Sequence, residues 1–156
     1  MTEDFEVGLR AAVATDAAAL LQLGAQLQDE SAFVVIDANG HPPTVAEEAE
    51  AITQLNSSGT NLIVVATVAE KLVGLVTITE TDPQRGELGI AVLSAYQGLG
   101  LGTALMDVAV EWLQTQSHLN HLWLTVNVHN QRAVRLYHRQ GFHVTQTDHD
   151  LLTMEH

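Results

Sequence analysis

Between a β-branched run and a long segment with a helical apolar stripe, the chain reads Tyr96-Gln97-Gly98-Leu99-Gly100-Leu101-Gly102-Thr103. Three glycines at alternate positions let the main chain approach a ligand closely. The first amides of the helix that follows have no intrahelical acceptor, and a helix N-terminus carries roughly half a positive charge. A pyrophosphate is the natural guest of such a cradle. A dinucleotide loop and a close-packed turn are the competing readings. The Walker pattern is absent, because no Gly-Lys-Ser/Thr follows. A Rossmann loop fits poorly: its entering strand ends an antiparallel meander, and no acidic residue stands about 20 residues on, where a ribose needs it.

Upstream of the loop, Glu87–Leu93 reads as a strand. Before it, Leu62–Val68 and Leu72–Thr79 are β-branched runs separated by Ala69, Glu70 and Lys71, a hairpin signal. Downstream, Leu101, Ala104, Leu105, Val108 and Trp112 recur at helical steps. His121–Asn127 is again a strand, Asn130–Gln140 a helix, and Phe142 opens a final hairpin. Toward the N-terminus, Phe5–Ala12 predicts a strand. Thr15 offers a cap for a helix with Ala18, Leu21 and Ala25 on its apolar face, ending near Gln28. Asn39, Gly40, Pro42 and Pro43 mark Ser31–Pro43 as a loop, and Thr44 caps a second, acidic helix to about Leu55. The predicted order is βααβββαβαββ, an α/β fold on a mixed sheet.

A chain of 156 residues suits one domain, residues 1–156, without disulfides, and no cysteine is present. The opening MTEDFEV lacks the basic flank and apolar run of a signal peptide, and no apolar stretch approaches the ~20 residues of a membrane helix. The expectation is a cytoplasmic protein with no membrane partner. Six Lys and Arg against nineteen Asp and Glu give a formal net charge of −13. Such a surface repels nucleic acid and favours cationic ligands, although plain solubility explains it equally well.

Two blocks together carry a family resemblance. Gln97-x-x-Gly100-x-Gly102 matches the Q/R-x-x-G-x-G/A signature of the GCN5-related N-acetyltransferase (GNAT) superfamily, and the strand Glu87–Leu93 resembles the one leading into it. At the family's distance follows Asn130-x-x-Ala133-x-x-Leu136-Tyr137-x-x-x-Gly141-Phe142. The resemblance covers Leu72–Phe142; the N-terminal part is similar only in layout. It implies a GNAT-like mixed, mostly antiparallel sheet flanked by helices, with acetyl-CoA as cosubstrate. Carried over, the cofactor-binding residues are Ile90, Ala91 and Val92 on the strand, Gln97, Gly98, Leu99, Gly100, Leu101, Gly102 and Thr103 in the loop, and Asn130 and Tyr137 beyond it. A main-chain N–H, that of Val92, would bond the thioester oxygen. Tyr137 matches the tyrosine that protonates the departing CoA thiolate; a core tyrosine is the plainer reading.

The resemblance leaves the base open. Glu87, at the start of the strand beside the expected cleft, is the candidate, against a solvated glutamate after the turn at Gly86. A glutamate five residues before the asparagine marks the ribosomal-protein alanine acetyltransferases; Thr125 stands there and argues against that substrate. A partly neutral amine, its proton carried away by water, is the alternative to a carboxylate base. The implied reaction is acetyl transfer to a primary amine, small-molecule or protein-borne, by direct attack in a ternary complex. A catalytically silent CoA-binding sensor is the alternative. The C-terminal hairpin could pair across a homodimer.

Eight histidines invite a metal reading, but no His-x-x-x-His pair shares a helix, so no metal site is assigned. Arg132, Arg135 and Arg139 fall roughly opposite the Asn130–Tyr137 stripe and read as a solvated face, with a reach to the CoA 3′-phosphate open to one of them. Glu47, Glu48 and Glu50 form an acidic face near the expected substrate entrance, more simply a hydrated one.

Overall fold

A computed structural model describes residues 6–30 and 43–156, so Phe5 and the expected loop, apart from Pro43, lie outside the described residues. The described elements are β1 (Val7–Ala11), α1 (Ala17–Glu30), α2 (Val45–Ser57), β2 (Leu62–Val68), β3 (Lys71–Asp82), β4 (Arg85–Val92), α3 (Leu101–Thr115), β5 (His121–Asn127), α4 (Gln131–Arg139), β6 (His143–Asp148) and β7 (Leu151–Glu155). They follow the predicted order, and the strands form one sheet in the order β1-β2-β3-β4-β5-β7-β6. Neighbouring strands are antiparallel except β4 and β5, which are parallel.

Every residue from Leu62 to Ala66 is buried, so β2 is covered on both faces, as its unbroken apolar run requires. The turn from β2 to β3 places Ala69 and Glu70 at φ of 49° and 69°, the left-handed pair that matches strand twist in a two-residue hairpin. α1 and α2 pack on each other, while α3 lies against β2, β3 and β4. α3 buries Leu101, Leu105, Met106, Ala109, Trp112 and Leu113, close to the predicted stripe.

α1 departs from expectation in two respects. It buries Ala17, Leu20, Leu23 and Leu27, whereas Ala18 and Ala25 are exposed and Leu21 is half-buried. Its sequence offers two apolar stripes one residue apart, and the one carrying more leucine area goes inside. The capping group is Asp16 rather than Thr15. The Asp16 carboxylate accepts the Val13 N–H at 2.8 Å and both arms of the Arg10 guanidinium at 2.7 and 2.8 Å. Those guanidinium bonds hold the Asp16 carboxyl below its ordinary range, against the upward push of burial. α2 is capped as predicted: Glu47 N–H donates to Thr44 Oγ1 and Thr44 N–H to Glu47 Oε1, at 3.2 and 3.3 Å.

Candidate active site

The parallel ladder between β4 and β5 has only the rungs Arg85–His121, Gly86–Leu122 and Glu87–Trp123. Beyond Glu87, β4 pairs with β3 alone and β5 with β7 alone. The two strands part, and the sheet is open between Leu88–Val92 and Leu124–Asn127.

Ladder geometry decides what faces the opening. Leu93 N–H donates to the Val73 carbonyl at 2.8 Å, and strand groups alternate in direction. The N–H and C=O groups of Leu88, Ile90 and Val92 therefore point away from β3, into the gap. Those of Ala91 belong to the β3 ladder. Of the three strand residues expected to line a cofactor, Ile90 and Val92 turn main-chain groups to the gap and Ala91 does not.

At the end of β4 a one-turn 3-10 segment, Ser94–Tyr96, leads into the glycine loop. Gly98 and Gly100 have φ of 84° and 81°, which L side chains rarely adopt, and Gly100 is the residue before the first turn of α3. A Cβ on Gly100 would meet nothing within 4 Å, so the cradle is open there. No side chain caps α3. The amides from Gly98 to Thr103 thus make no capping or loop bond among the described residues, which leaves them for an anion.

α4 closes the far side. Asn130 caps it, its Oδ1 accepting Ala133 N–H at 3.4 Å, which leaves the Asn130 amide N–H₂ for another acceptor. α4 lies alongside α3: Gln140 Nε2 donates to Asp107 at 3.1 Å, and a Cβ on Gly102 would touch Leu136 at 3.4 Å. Tyr137 is buried, its ring tilted against Phe142 at 6.1 Å. Its hydroxyl makes no hydrogen bond among the described residues and is not sealed from solvent. Burial pushes its pKa up to about 12, so the phenol stays protonated at any ordinary pH.

Glu87 pairs with Thr79 on β3 and Trp123 on β5 in the last rung before the strands part. A Cβ on neighbouring Gly86 would strike Leu119 and Ile78 at 2.7 and 2.8 Å, so that parity of β4 faces the core under α3. Glu87, of the other parity, points to the opposite face. There Thr79, Gly89 and Thr125 are exposed, and Glu87, Trp123 and Thr153 half-buried. Tyr137 and Glu87 thus approach the opening from opposite sides of the sheet.

Arg132 is exposed, as a solvated face requires, and it is the arginine of the three that reaches the loop. Its Nη1 donates to Gln97 Oε1 at 3.3 Å, and Nη2 lies 3.6 Å from a Cβ built on Gly98. A wheel gives only the azimuth on α4, whereas a long side chain in its first turn can reach across to the loop. Glu30 was also unforeseen: its carboxylate accepts the Ser94 N–H at 2.8 Å, tying the end of α1 to the loop entrance. Among the described residues no group of three or more His, Asp or Glu converges as metal ligands would.

Comparison with known proteins agrees with this geometry. A solved GNAT-family acetyltransferase from Streptococcus pneumoniae superposes with a TM-score of 0.88 at 29% identity, covering 97% of this chain and 99% of that one. A putative acetyltransferase from Salmonella typhimurium, solved with its cofactor acetyl-CoA, superposes at 0.80 and 17% identity over 97% of this chain and 93% of that one, and shows the fold. A spermidine N(1)-acetyltransferase of Escherichia coli K12 is 35% identical over 73 residues, 46% of this chain and 39% of its own length, so the match spans less than half of that relative. The family model for the acetyltransferase (GNAT) family matches residues 23–142. With its split sheet, its glycine loop and that match, the chain belongs to the acetyltransferase (GNAT) family.

Proposed function

We propose that the protein transfers an acetyl group from acetyl-CoA to a primary amine, the two substrates meeting in the opening between β4 and β5. One observation carries this reading. The β4–β5 ladder stops at Glu87, which turns the main-chain groups of Leu88 and Ile90 and the N–H of Val92 to the gap, beside the unpaired amides of Gly98–Thr103.

The residues fit the cosubstrate. The loop amides and the α3 N-terminus take the pyrophosphate, the edge of β4 pairs with the pantetheine arm, and the Asn130 amide donates to a carbonyl of that arm. In the reaction, the amine nitrogen attacks the thioester carbonyl carbon. A C–N bond forms, and the Val92 N–H stabilises charge on the oxygen. The C–S bond then breaks and the thiolate takes a proton from Tyr137. Depressed acidity makes Tyr137 a weak donor toward a thiol of pKa about 8.5, but a nearby desolvated thiolate is itself more basic, which narrows the mismatch. Glu87 stands five residues, roughly 16 Å, along β4 from Val92, so the proton the ammonium must lose before attack reaches it through ordered water.

The acceptor class we favour is a small polycationic amine, as for the spermidine acetyltransferase relative. Glu87 and Glu30 stand at the opening of a chain with net charge −13. The same charge disfavours nucleic acid as a partner. We further propose one domain over residues 1–156, a cytoplasmic location and a homodimer; among the described residues no helix is long and apolar enough to cross a membrane.

Acetyl-CoA with a panel of spermidine, free lysine and peptide N-termini tests the reaction through thiol release. Spermidine should turn over fastest, and Tyr137→Phe should lower kcat about 100-fold with little change in KM, the scale of losing a general acid. Binding of acetyl-CoA with no release on any amine would instead favour the silent binding module.

A further inference from the structure

Gln97 has both ends of its side-chain amide engaged, and the two bonds join separate parts of the site. Nε2 donates to the Val92 carbonyl at 2.9 Å, and Oε1 accepts from Arg132 Nη1 at 3.3 Å. On its other side the Val92–Leu93 peptide is held by the Leu93 N–H bond to Val73 at 2.8 Å. This peptide adjoins the Val92 N–H, which faces the gap. We propose that Arg132 is a positioning residue: acting through Gln97, it orients the end of β4 and so links the phosphate end of the cosubstrate site to its thioester end. This rests on the acetyltransferase reading.

Three features support the link. Arg132 sits in the first turn of α4, beside the Asn130 cap, so its backbone is fixed relative to the gap. Gln97 is the residue type the relay needs, since an amide both donates and accepts. An arginine at position 97 could bond Val92 but could not accept from Arg132, and would face it as a like charge. Finally, the Arg132 guanidinium also lies near Gly98, so an anion in the loop would pull on the group that holds Gln97. A simple phosphate contact by Arg132 is the rival, and it predicts a different response.

The donors for the test are acetyl-CoA and S-acetyl-pantetheine, which has the thioester and no phosphate. Arg132→Gln and Gln97→Leu should each lower kcat on S-acetyl-pantetheine by about threefold to tenfold, the range of one net hydrogen bond, and the double variant should lose no more than either. The exchanged pair Gln97→Arg with Arg132→Gln, which rebuilds a donor to Val92 and an acceptor for it, should recover most of the loss. Arg139→Gln, in the last turn of α4, is the control. If Arg132→Gln raises only KM for acetyl-CoA and leaves the truncated donor untouched, or if the single losses add, the link is wrong. Absence of turnover with either donor in the wild type would overturn the acetyltransferase reading itself. Amide hydrogen exchange at Leu93, whose N–H bonds Val73, reads the relay in the ligand-free protein without turnover. It should rise in both single variants, and a rise in Gln97→Leu alone refutes the role of Arg132.

Discussion

The two halves of the β4–β5 junction are built in opposite ways. At the closed end four strands are stitched by side chains: Arg85 of β4 pairs with Glu155 of β7 and lies 5.9 Å over the Trp123 ring of β5, whose Nε1 donates to Thr81 of β3 at 2.9 Å. At the open end, a few residues along, the ladder is gone and what faces the gap is main chain from β4 and from the glycine loop. The difference teaches that the fold invests side-chain packing where the strands must meet and leaves hydrogen-bonding capacity where they must part. Residue identity should therefore govern stability at the closed end and ligand affinity at the open end.

Gly86 and Gly100 offer the sharpest way to break that comparison, because each is a glycine for a different reason. A Cβ at Gly86 collides with Leu119 and Ile78 in the core, whereas at Gly100 it meets nothing and only the left-handed φ resists. Gly86→Ala should destabilise the protein by about 1–3 kcal/mol, read from denaturant unfolding, while the folded fraction binds acetyl-CoA as before. A stable variant with lost affinity would reverse the assignment of the two ends.

Glu87 stands at the boundary, and its effect should be smaller. Glu87→Gln should lower kcat about tenfold near neutral pH, with the deficit shrinking as pH rises toward the pKa of the acceptor amine, because a neutral amine needs no base. The pH profile of kcat for the two enzymes measures this. A constant deficit at all pH would make Glu87 a binding group, and none would leave the proton to water. Tyr137, whose pKa is about 12, should contribute no fall in activity below roughly pH 11.

Much of this was legible in the residues. β2 and β5 begin and end where their β-branched and alternating runs do, and the loop announced itself through glycines at positions that take left-handed or closely packed backbone. The pattern failed where an outcome depends on how elements lean on each other. Arg132, Arg135 and Arg139 look equivalent on a wheel, yet only the first reaches Gln97 among the bonds described, because it stands in the first turn of α4, at the end nearer the loop. Asp16 was passed over as a cap since its role needs Arg10, six residues earlier and on a different element. The α1 face was ambiguous in a run as apolar as Ala17–Leu27, and the tie was broken by area buried against α2 and β3. The parting of β4 from β5 left no local mark at all in the residues of either strand.

Calorimetric titration of acetyl-CoA into the wild type and Gly100→Glu tests the central claim most directly. A saturable site in the wild type, weakened by about 100-fold or more in a variant that still folds, would place the cosubstrate phosphates on the loop, where a carboxylate both repels them and fills the space they need. Equal affinity in the two proteins, or no heat from the folded wild type at millimolar acetyl-CoA, would contradict it.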